Sequence, residues 1–368
     1  MLSAQIPRNS SQKRGLISFP FFAVSIKFYI DYFFLVSCRN SLGDNSSSRV
    51  MKLFILLVFL CAIYPVLGWI HRCPPPENVP RECSCTKSKN QVLVSCRHVT
   101  DTHVLSESLI SFQNYVVDEL EISDSGPLEM LAGPFARQNI HRIVFNNVRF
   151  GNLPILRSFR GLEQILESLT FNCCEVNRWT WTEGQGFSYL KTLTFKQTNL
   201  PEVLSPAYFA KFPNKIENLN IIKCNVKELE GNALDKFTAL KTLRLENNRL
   251  NSLSRTSLPP KLRRLIHLSF LGNPLKVLPE DIFTHMPRLE SLMLGGTRLK
   301  TLDKKTFEPI WDQLEKVFFN GIVLNCDCNS TWLIEVDAEK MKVPPSCGSH
   351  NKPITEFTHE ELCRTRRK

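Results

Sequence analysis

A leucine-centred motif recurs every 23 to 26 residues through most of the chain. It reads L-x-x-L-x-L-x-x-N/C-x-L, and the copy from Leu240 to Leu253 is the clearest. A phenylalanine, or Leu258 in the sixth copy, follows each of the first eight starts by 18 to 21 residues, so two markers stay in phase. Such a period indicates a repeat array. The motif starts at nine positions: Val117, Ile140, Leu166, Leu190, Ile216, Leu240, Leu265, Leu289 and Leu314.

The spacing within one motif predicts a strand followed by a return segment. Alternation places Leu243 and Leu245 on the inner side and Arg244 on the outer side. A single unit cannot bury its apolar side, whereas stacked neighbours can. The predicted fold class is therefore α/β: a leucine-rich-repeat solenoid with a curved parallel sheet on its concave face. We expect its convex side to be irregular or to carry short helices.

Eight cysteines form two clusters of four, one at each end of the repeats. An even count in compact clusters favours disulfide bonds, and C-x-C spacing does not suit zinc. Spacing alone leaves three connectivities open in each cluster. Cys174 and Cys224 take the N/C position of the motif, where we expect buried side chains, and Cys173 is the candidate reactive thiol. The clusters comprise Cys73, Cys83, Cys85 and Cys96, then Cys326, Cys328, Cys347 and Cys363.

These motifs together resemble the extracellular leucine-rich-repeat proteins that carry cysteine-rich caps at both ends. CPPPENVPRECSC looks like the N-terminal cap, and CDCNSTWLIEV looks like the C-terminal cap. The chain is also similar in style to the non-catalytic leucine-rich-repeat subunit of a shrimp luciferase. The resemblance implies four disulfide bonds, Cys73–Cys85, Cys83–Cys96, Cys326–Cys347 and Cys328–Cys363, and caps that cover the apolar ends of the array.

The residues before the first cap predict export. Met51 and Lys52 precede an apolar run that ends at Gly68, the layout of a signal peptide. We interpret residues 1–50 as a mis-called extension; the competing interpretation is a membrane anchor, which Lys27 and Asp31 make costly. The predicted domains are the signal peptide (51–68), the N-terminal cap (69–100), about nine repeats (101–325), the C-terminal cap (326–363) and a basic tail (364–368).

Charge and motif searches narrow the function. Residues 69–368 hold 39 basic and 33 acidic side chains, a surplus of only 6, so the overall charge favours neither nucleic acid nor an anionic membrane as partner. Motifs for serine hydrolysis, zinc proteolysis, nucleotide binding and dinucleotide binding are absent from the sequence. We therefore expect no enzymatic activity and no cofactor or metal. No apolar segment long enough to span a membrane is expected in the mature chain.

The outward strand positions are the candidate binding surface. Apolar side chains that face water beside arginine are typical of a binding hot spot, although isolated surface residues are the alternative. Here the pattern becomes more apolar towards the C-terminal end. We predict that a protein partner contacts Lys196, Asn220, Ile222, Arg244, Glu246, Leu271, Met293 and Phe318.

Two further features have competing interpretations. Trp179 and Trp181 either pack within the third repeat or serve as exposed anchors for a partner. Asn329 begins the one N-x-[ST] sequon after residue 68 and is a candidate glycosylation site. Three functions fit the sequence: a secreted protein-binding module, a non-catalytic stabilising subunit of an extracellular enzyme complex, and the ectodomain of a truncated receptor.

Overall fold

The computed structural model describes residues 69–130, 133–181, 186–348 and 352–364. These residues belong to one compact unit, which begins at Trp69. The predicted extension (1–50), the predicted signal peptide (51–68) and residues 365–368 of the basic tail lie outside the described residues.

One large sheet runs through the described unit, and each repeat contributes a strand that is parallel to its neighbours. The nine repeat strands are β3 (Val116–Leu128), β4 (Asn139–Pro154), β5 (Ser168–Asn172), β7 (Thr192–Lys196), β9 (Asn218–Ile222), β11 (Thr242–Arg244), β12 (His267–Ser269), β13 (Ser291–Met293) and β14 (Lys316–Phe318). The cap strands β1 (Cys83–Ser88), β2 (Gln91–Arg97) and β16 (Met341–Val343) extend this sheet, and β6 (Glu175–Thr180) pairs with the second half of β4. This architecture confirms the predicted solenoid.

The convex side carries only short elements, as we expected. The remaining strands are β8 (Val203–Leu204) with β10 (Glu228–Leu229), and β15 (Val323–Leu324) with β17 (Ser346–Cys347) and β18 (Lys352–Pro353). The α-helices are α1 (Thr102–Ile110), α2 (Pro206–Phe209), α3 (Lys304–Phe307), α4 (Trp332–Glu335) and α5 (His359–Arg364). Turns of 3-10 helix lie at Pro76–Asn78, Arg157–Phe159, Arg255–Ser257, Trp311–Gln313, Cys328–Ser330, Ala338–Lys340 and Ile354–Glu356.

The core lies between the sheet and the convex segments. The two inward positions of each strand, such as Leu243 and Leu245, are at most 1% exposed. The convex phenylalanines pack against them, and Phe209 and Phe237 meet edge to face with centroids 5.3 Å apart. Burial of these side chains across repeat boundaries is what stabilises the array, because no repeat closes its own core.

A side-chain ladder closes the turn after each strand. Asn248 Nδ2 donates to the carbonyl oxygens of Ile221 (2.7 Å) and Glu246 (3.1 Å), while its Oδ1 accepts from the amide of Cys224 (3.0 Å). Cys224 lies at the same position one repeat earlier and directs its Sγ to the Phe195 carbonyl at 3.4 Å. The turn backbone, which would otherwise be buried unpaired, is thereby satisfied from the next repeat.

At the N-terminal end, β1 and β2 form an antiparallel hairpin, and β2 lies parallel to β3. Disulfide bonds join Cys73 to Cys85 and Cys83 to Cys96. Helix α1 follows, and the Asp101 side chain accepts hydrogen bonds from the amides of His103 and Val104 at its start. These are two of the pairings that the family resemblance implies.

At the C-terminal end, disulfide bonds join Cys326 to Cys347 and Cys328 to Cys363, the other two pairings implied by the resemblance. Trp332 closes the end of the core: its ring packs against Trp311 at 5.1 Å, and its Nε1 donates to the Leu302 carbonyl. The cap also adds strand β16 beside β14, which places Val343 next to Phe318. This extra strand was not predicted.

Candidate functional site

The candidate site is the open face of the sheet, which is the concave face of the solenoid. Parallel register places one outward residue of each strand in a single central column. That column contains Glu121, Val144, Thr170, Thr194, Asn220, Arg244, Ser269, Met293, Phe318 and, from the cap, Val343.

The N-terminal half of the open face is polar and bonded within itself. Asn146 Nδ2 donates to Glu121 Oε1 at 2.6 Å, and Asn172 Nδ2 donates to Asn146 Oδ1 at 2.9 Å. Further along, Asn220 Nδ2 donates to Thr194 Oγ1 at 2.9 Å. Because these groups already satisfy one another across strands, they offer a partner little unmet hydrogen-bonding capacity.

The C-terminal half is apolar. Met293, Phe318 and Val343 follow one another on three adjacent strands, with Val343 42% exposed and the other two half-buried. Leu271 is half-buried two residues beyond Ser269. We refer to Leu271, Met293, Phe318 and Val343 as the apolar patch. Contiguous exposed apolar surface costs free energy unless something covers it.

The structure corrects the prediction for Glu246, which is buried at 4% exposure rather than presented to a partner. Strand β11 ends at Arg244, so strict alternation does not extend to Glu246. Its carboxylate instead accepts two hydrogen bonds from the Arg244 guanidinium, at 2.7 and 3.0 Å. Arg244 remains 46% exposed, and the bidentate pair holds it at the centre of the face.

Ile222 and Lys196 lie apart from the apolar patch. They face each other across β7 and β9, and Ile222 is half-buried. The strands that carry Arg244 and Ser269 separate Ile222 from Met293. The four apolar residues grouped by sequence therefore do not form one patch: three of them lie at the C-terminal end, and Val343 joins them there.

The cysteines of the repeats differ sharply in environment. Cys174 and Cys224 are buried, as the sequence predicted, and burial raises their thiol pKa values to about 12 and about 11. Cys173 is exposed and has a left-handed backbone, with φ of 53°. A thiol reagent can therefore reach Cys173 in the folded protein but not its two neighbours on the ladder.

The two tryptophans of the third repeat are packing residues. Trp181 is 4% exposed and stacks on Trp179 with centroids 5.0 Å apart. Trp179 meets Phe171 and Phe195 edge to face, and its Nε1 donates to the Asn199 carbonyl at 2.8 Å. They fill the space behind the sheet, so neither serves as a free anchor.

Asn329 is exposed in the C-terminal cap. Its backbone amide donates to Asp327 Oδ1 at 2.8 Å, and its side-chain amide donates to Asp327 Oδ2 at 3.3 Å. Thr331, the third sequon residue, donates its hydroxyl to the Cys328 carbonyl. The acceptor is thus within reach of solvent but held locally by Asp327.

Comparisons with known proteins give partial matches. No protein-family model matches the chain. It is 26% identical to Toll-like receptor 9 of Mus musculus over 181 residues, which are 46% of this chain and 17% of the receptor. It is 35% identical to osteomodulin of Rattus norvegicus over 80 residues, which are 22% of this chain and 18% of osteomodulin. The chain therefore spans less than a fifth of either relative.

A solved structure matches over a larger share of the chain. A chain of the octameric complex of Latrophilin 3, Unc5D and FLRT2 (LRR) superposes with a TM-score of 0.53 at 16% identity, covering 76% of this chain and 98% of that one. The chain has a leucine-rich-repeat fold. The likeness of this leucine-rich-repeat protein to a luciferase subunit is not tested by these matches and stays a prediction.

Two aspects of the site were missed from sequence. Val343 carries no repeat signal, because it lies in the cap and reaches the sheet only through a long-range pairing. Glu246 keeps the motif spacing but is buried, with its carboxylate held by the Arg244 guanidinium. Among the described residues of this leucine-rich-repeat protein, no helix has the length and apolar character needed to cross a membrane.

Proposed function

We propose that this leucine-rich-repeat protein is an extracellular binding module whose apolar patch and Arg244 engage a protein partner. The observation that carries the proposal is the run of Met293, Phe318 and Val343 on three adjacent strands at the C-terminal end of the open face. Full burial of one such side chain is worth about 1.5–3 kcal/mol. A partner that covers the run recovers the cost of keeping it in water.

Arg244 adds selectivity to this surface. Glu246 holds the guanidinium of Arg244 through two hydrogen bonds, and the Arg244 side chain as a whole is 46% exposed. A planar guanidinium in a fixed orientation favours a carboxylate or another planar polar group on the partner. The strands before it carry Lys196, Asn220 and Ile222. These residues extend the proposed contact surface beyond the apolar patch.

The disulfide bonds support the extracellular setting, and a structural neighbour supports the expectation of a protein partner. Four disulfide bonds in two caps are typical of an oxidising compartment. The structural neighbour FLRT2 was solved in a complex with Latrophilin 3 and Unc5D, and we carry over to this chain only the expectation of a protein partner.

The test compares capture of extracellular proteins by the tagged full chain and by variants of the open face. We expect a specific protein to bind the wild type and to be lost with Phe318→Ala combined with Met293→Ala. Val277→Ala is the matched control, because Val277 is 68% exposed outside the column. A protein retained equally by the wild type and by both variants contradicts the proposed surface. A captured enzyme whose activity outlasts that of the free enzyme would indicate the stabilising-subunit alternative.

Two accompanying variants separate binding from folding. Arg244→Ala should weaken partner binding, and because it also leaves the buried Glu246 carboxylate without its partner, the free energy of unfolding should fall by about 1–3 kcal/mol. Binding is therefore measured per folded molecule. Leu245→Ala, one residue along and buried, should cost ~2–5 kcal/mol and reduce secretion. If Leu245→Ala and Arg244→Ala reduce binding only in proportion to lost folded protein, the surface has no specific role.

A glycan at Asn329 is part of the same proposal. The side chain is exposed in the C-terminal cap. Secreted protein should lose mass on treatment with an amidase that removes N-linked glycans, and Asn329→Gln should abolish that loss. An unchanged mass for the wild type would remove the glycan from the proposal.

A further inference from the structure

A cavity of about 390 Å³ opens on the edge of the solenoid where the strands begin. Three successive loops form it, at the ends of the sixth, seventh and eighth repeats. Phe283 and Met286 form the buried floor, and Lys261 and Arg263 stand on one wall. No carboxylate lines the cavity.

The walls are fixed by side chains that bond to loop carbonyls. The Arg255 guanidinium donates to the carbonyl oxygens of Pro259 (2.9 Å), Pro260 (3.1 Å) and Thr284 (3.1 Å). It thereby ties the loop that carries Lys261 to the loop that carries the floor. On the opposite wall, Gln313 donates to the Met286 carbonyl. The cavity is therefore held in shape before any ligand arrives, which lowers the entropic cost of binding.

The cations of this cavity have no partner of their own. Glu217 pairs with Lys241 (2.8 Å) and lies 3.7 Å from Arg264, so those two neighbours are compensated, and the bond from Lys241 lowers the pKa of Glu217. Within the described part of the chain, the side chains of Lys261 and Arg263 are exposed, form no ion pair and donate no hydrogen bond. An exposed cation pair beside a preformed cavity with further polar lining residues suits an anionic group carried on a compact ring that fills the cavity.

Further cations continue the row along the same edge. Lys236 Nζ donates to the Ala210 carbonyl, which places Lys236 beside Lys211, and the Leu262 amide donates to the His285 carbonyl. Lys211, Lys236 and Lys261 follow one another at intervals of 25 residues, the period of the repeats. A ligand that runs along this edge therefore meets a cation at each step, which favours a linear polyanion.

We propose that this cavity and the cation row bind a sulfated polysaccharide, with one sugar ring seated in the mouth of the cavity and its sulfate between Lys261 and Arg263. A nucleic acid is disfavoured because the Phe283 ring is 1% exposed and offers no face for a base to stack on. An acidic peptide supplies the charges but no ring to fill the cavity. The small overall charge of the chain did not reveal this site, because the unpaired cations are local.

The experiment measures binding of a heparin decasaccharide to the full chain by calorimetry across a salt series. We expect the Lys261→Gln, Arg263→Gln double variant to weaken binding about tenfold at 0.15 M salt, the equivalent of two lost ion contacts. The slope of log affinity against log salt should also become shallower by about 1–2. The thermal unfolding midpoint should not change, since both side chains are exposed and unbonded.

The matched control removes one lysine and one arginine from the opposite edge, where the strands have ended. Lys276 and Arg298 are exposed, and Lys276→Gln with Arg298→Gln removes the same charge. This variant should weaken heparin binding less than threefold. Equal losses in both variants would show that binding follows net charge and would overturn the proposal. So would absence of heparin binding at 0.05 M salt, or tighter binding of poly-L-glutamate or unsulfated hyaluronan than of heparin.

Discussion

The two halves of the solenoid stack their repeats in the same way but differ in strand length and in the residues at the motif positions. In the N-terminal half, β3 and β4 span 13 and 16 residues, and β5, β7 and β9 span five each. In the C-terminal half, β11 to β14 span three residues each. The two long strands belong to the first two repeats, where Val117, Ile140 and Phe145 replace leucine and favour extended pairing. The substitution alone does not set strand length, because β14 has Val317 and spans three residues.

The residues that close the turns differ in the same way. The residue before the ladder position has a positive φ in every repeat. In the last three repeats it is glycine, at Gly272, Gly296 and Gly321, whereas the earlier repeats use larger residues, such as Cys173. At the ladder position itself, the N-terminal half uses thiols and Thr198, and the next two repeats use Asn248 and Asn273. The C-terminal half, with its shorter strands, thus has glycine turns in its last three repeats and asparagine ladder residues in its first two.

The aromatic spine of the N-terminal half should be the costliest to interrupt. Phe171 lies between Phe145 (5.3 Å) and Phe195 (5.5 Å) with nearly parallel rings. We expect Phe171→Ala to lower the free energy of unfolding by ~3–5 kcal/mol. Leu294, the matching position in the other half, has no such stack, and Leu294→Ala should cost about 2–3 kcal/mol. Urea unfolding monitored by circular dichroism measures both; equal costs would deny the spine a special role.

The ladder predicts the next largest difference. Asn273 Nδ2 donates to the carbonyls of Leu245 and Phe270, and its Oδ1 accepts from the Leu250 amide. Asn273→Ala leaves these buried groups unpaired and should cost about 2–3 kcal/mol. Cys224→Ala, at the same position in the thiol half, removes weaker bonds and should cost about 1 kcal/mol. A larger loss of unfolding free energy for Cys224→Ala than for Asn273→Ala in chemical denaturation would contradict this ranking of the asparagine and thiol ladders.

The thiol ladder should make the N-terminal half sensitive to alkali. In the unfolded chain a thiol ionises near its ordinary pKa of about 9, whereas Cys174 and Cys224 keep their protons up to about 12 and about 11 when folded. Above pH 9 the unfolded state therefore binds fewer protons, so stability falls as pH rises through the window from about 9 to 11. The loss from pH 9 to 10 should be about 2 kcal/mol for the pair.

The control for this pH effect removes the two thiols. The Cys174→Ala, Cys224→Ala double variant should show a smaller fall in unfolding free energy between pH 9 and 10 by about that amount. An identical pH profile would place the alkaline sensitivity in other groups. Labelling at neutral pH supplies a second check: among the cysteines of residues 69–364, one equivalent of thiol reagent should react with the folded protein, at Cys173.

Sequence reasoning predicted the repeats and the inward positions because both follow local periodicity. Leu243 and Leu245 are buried, and Arg244 between them is exposed, as alternation requires. It did not predict where each strand ends, or that the Glu246 carboxylate would be buried against the Arg244 guanidinium. Strand length depends on pairing with neighbours 24 to 26 residues away, which a single motif does not encode.

In the two proposed binding surfaces, too, some residues could be placed from the repeat motif and others could not. Met293 and Phe318 could be placed on the open face from the motif, whereas Val343 joins them only through the pairing of a cap strand. The cavity at Lys261 depends on Arg255, whose guanidinium bonds to three loop carbonyls contributed by two repeats. A repeat pattern in the sequence does not predict such contacts, which depend on the pairing of a cap strand and on side chains that bond to loop carbonyls.

The smallest expected effect tests the glycine turns of the C-terminal half. Gly272 has φ of +70°, and a Cβ there would collide with the Asn247 side-chain oxygen. Gly272→Ala should therefore cost about 1–2 kcal/mol, from the left-handed backbone and from displacement of Asn247. Cys173→Gly makes the opposite exchange at the equivalent turn. There, relief of the left-handed conformation is offset by greater freedom of the unfolded chain, so the net change should stay within about 0.5 kcal/mol. Thermal and urea unfolding of the two variants give both numbers. If Gly272→Ala is also neutral, the turns of the two halves tolerate side chains equally. The glycines would then not account for the shorter strands of the C-terminal half.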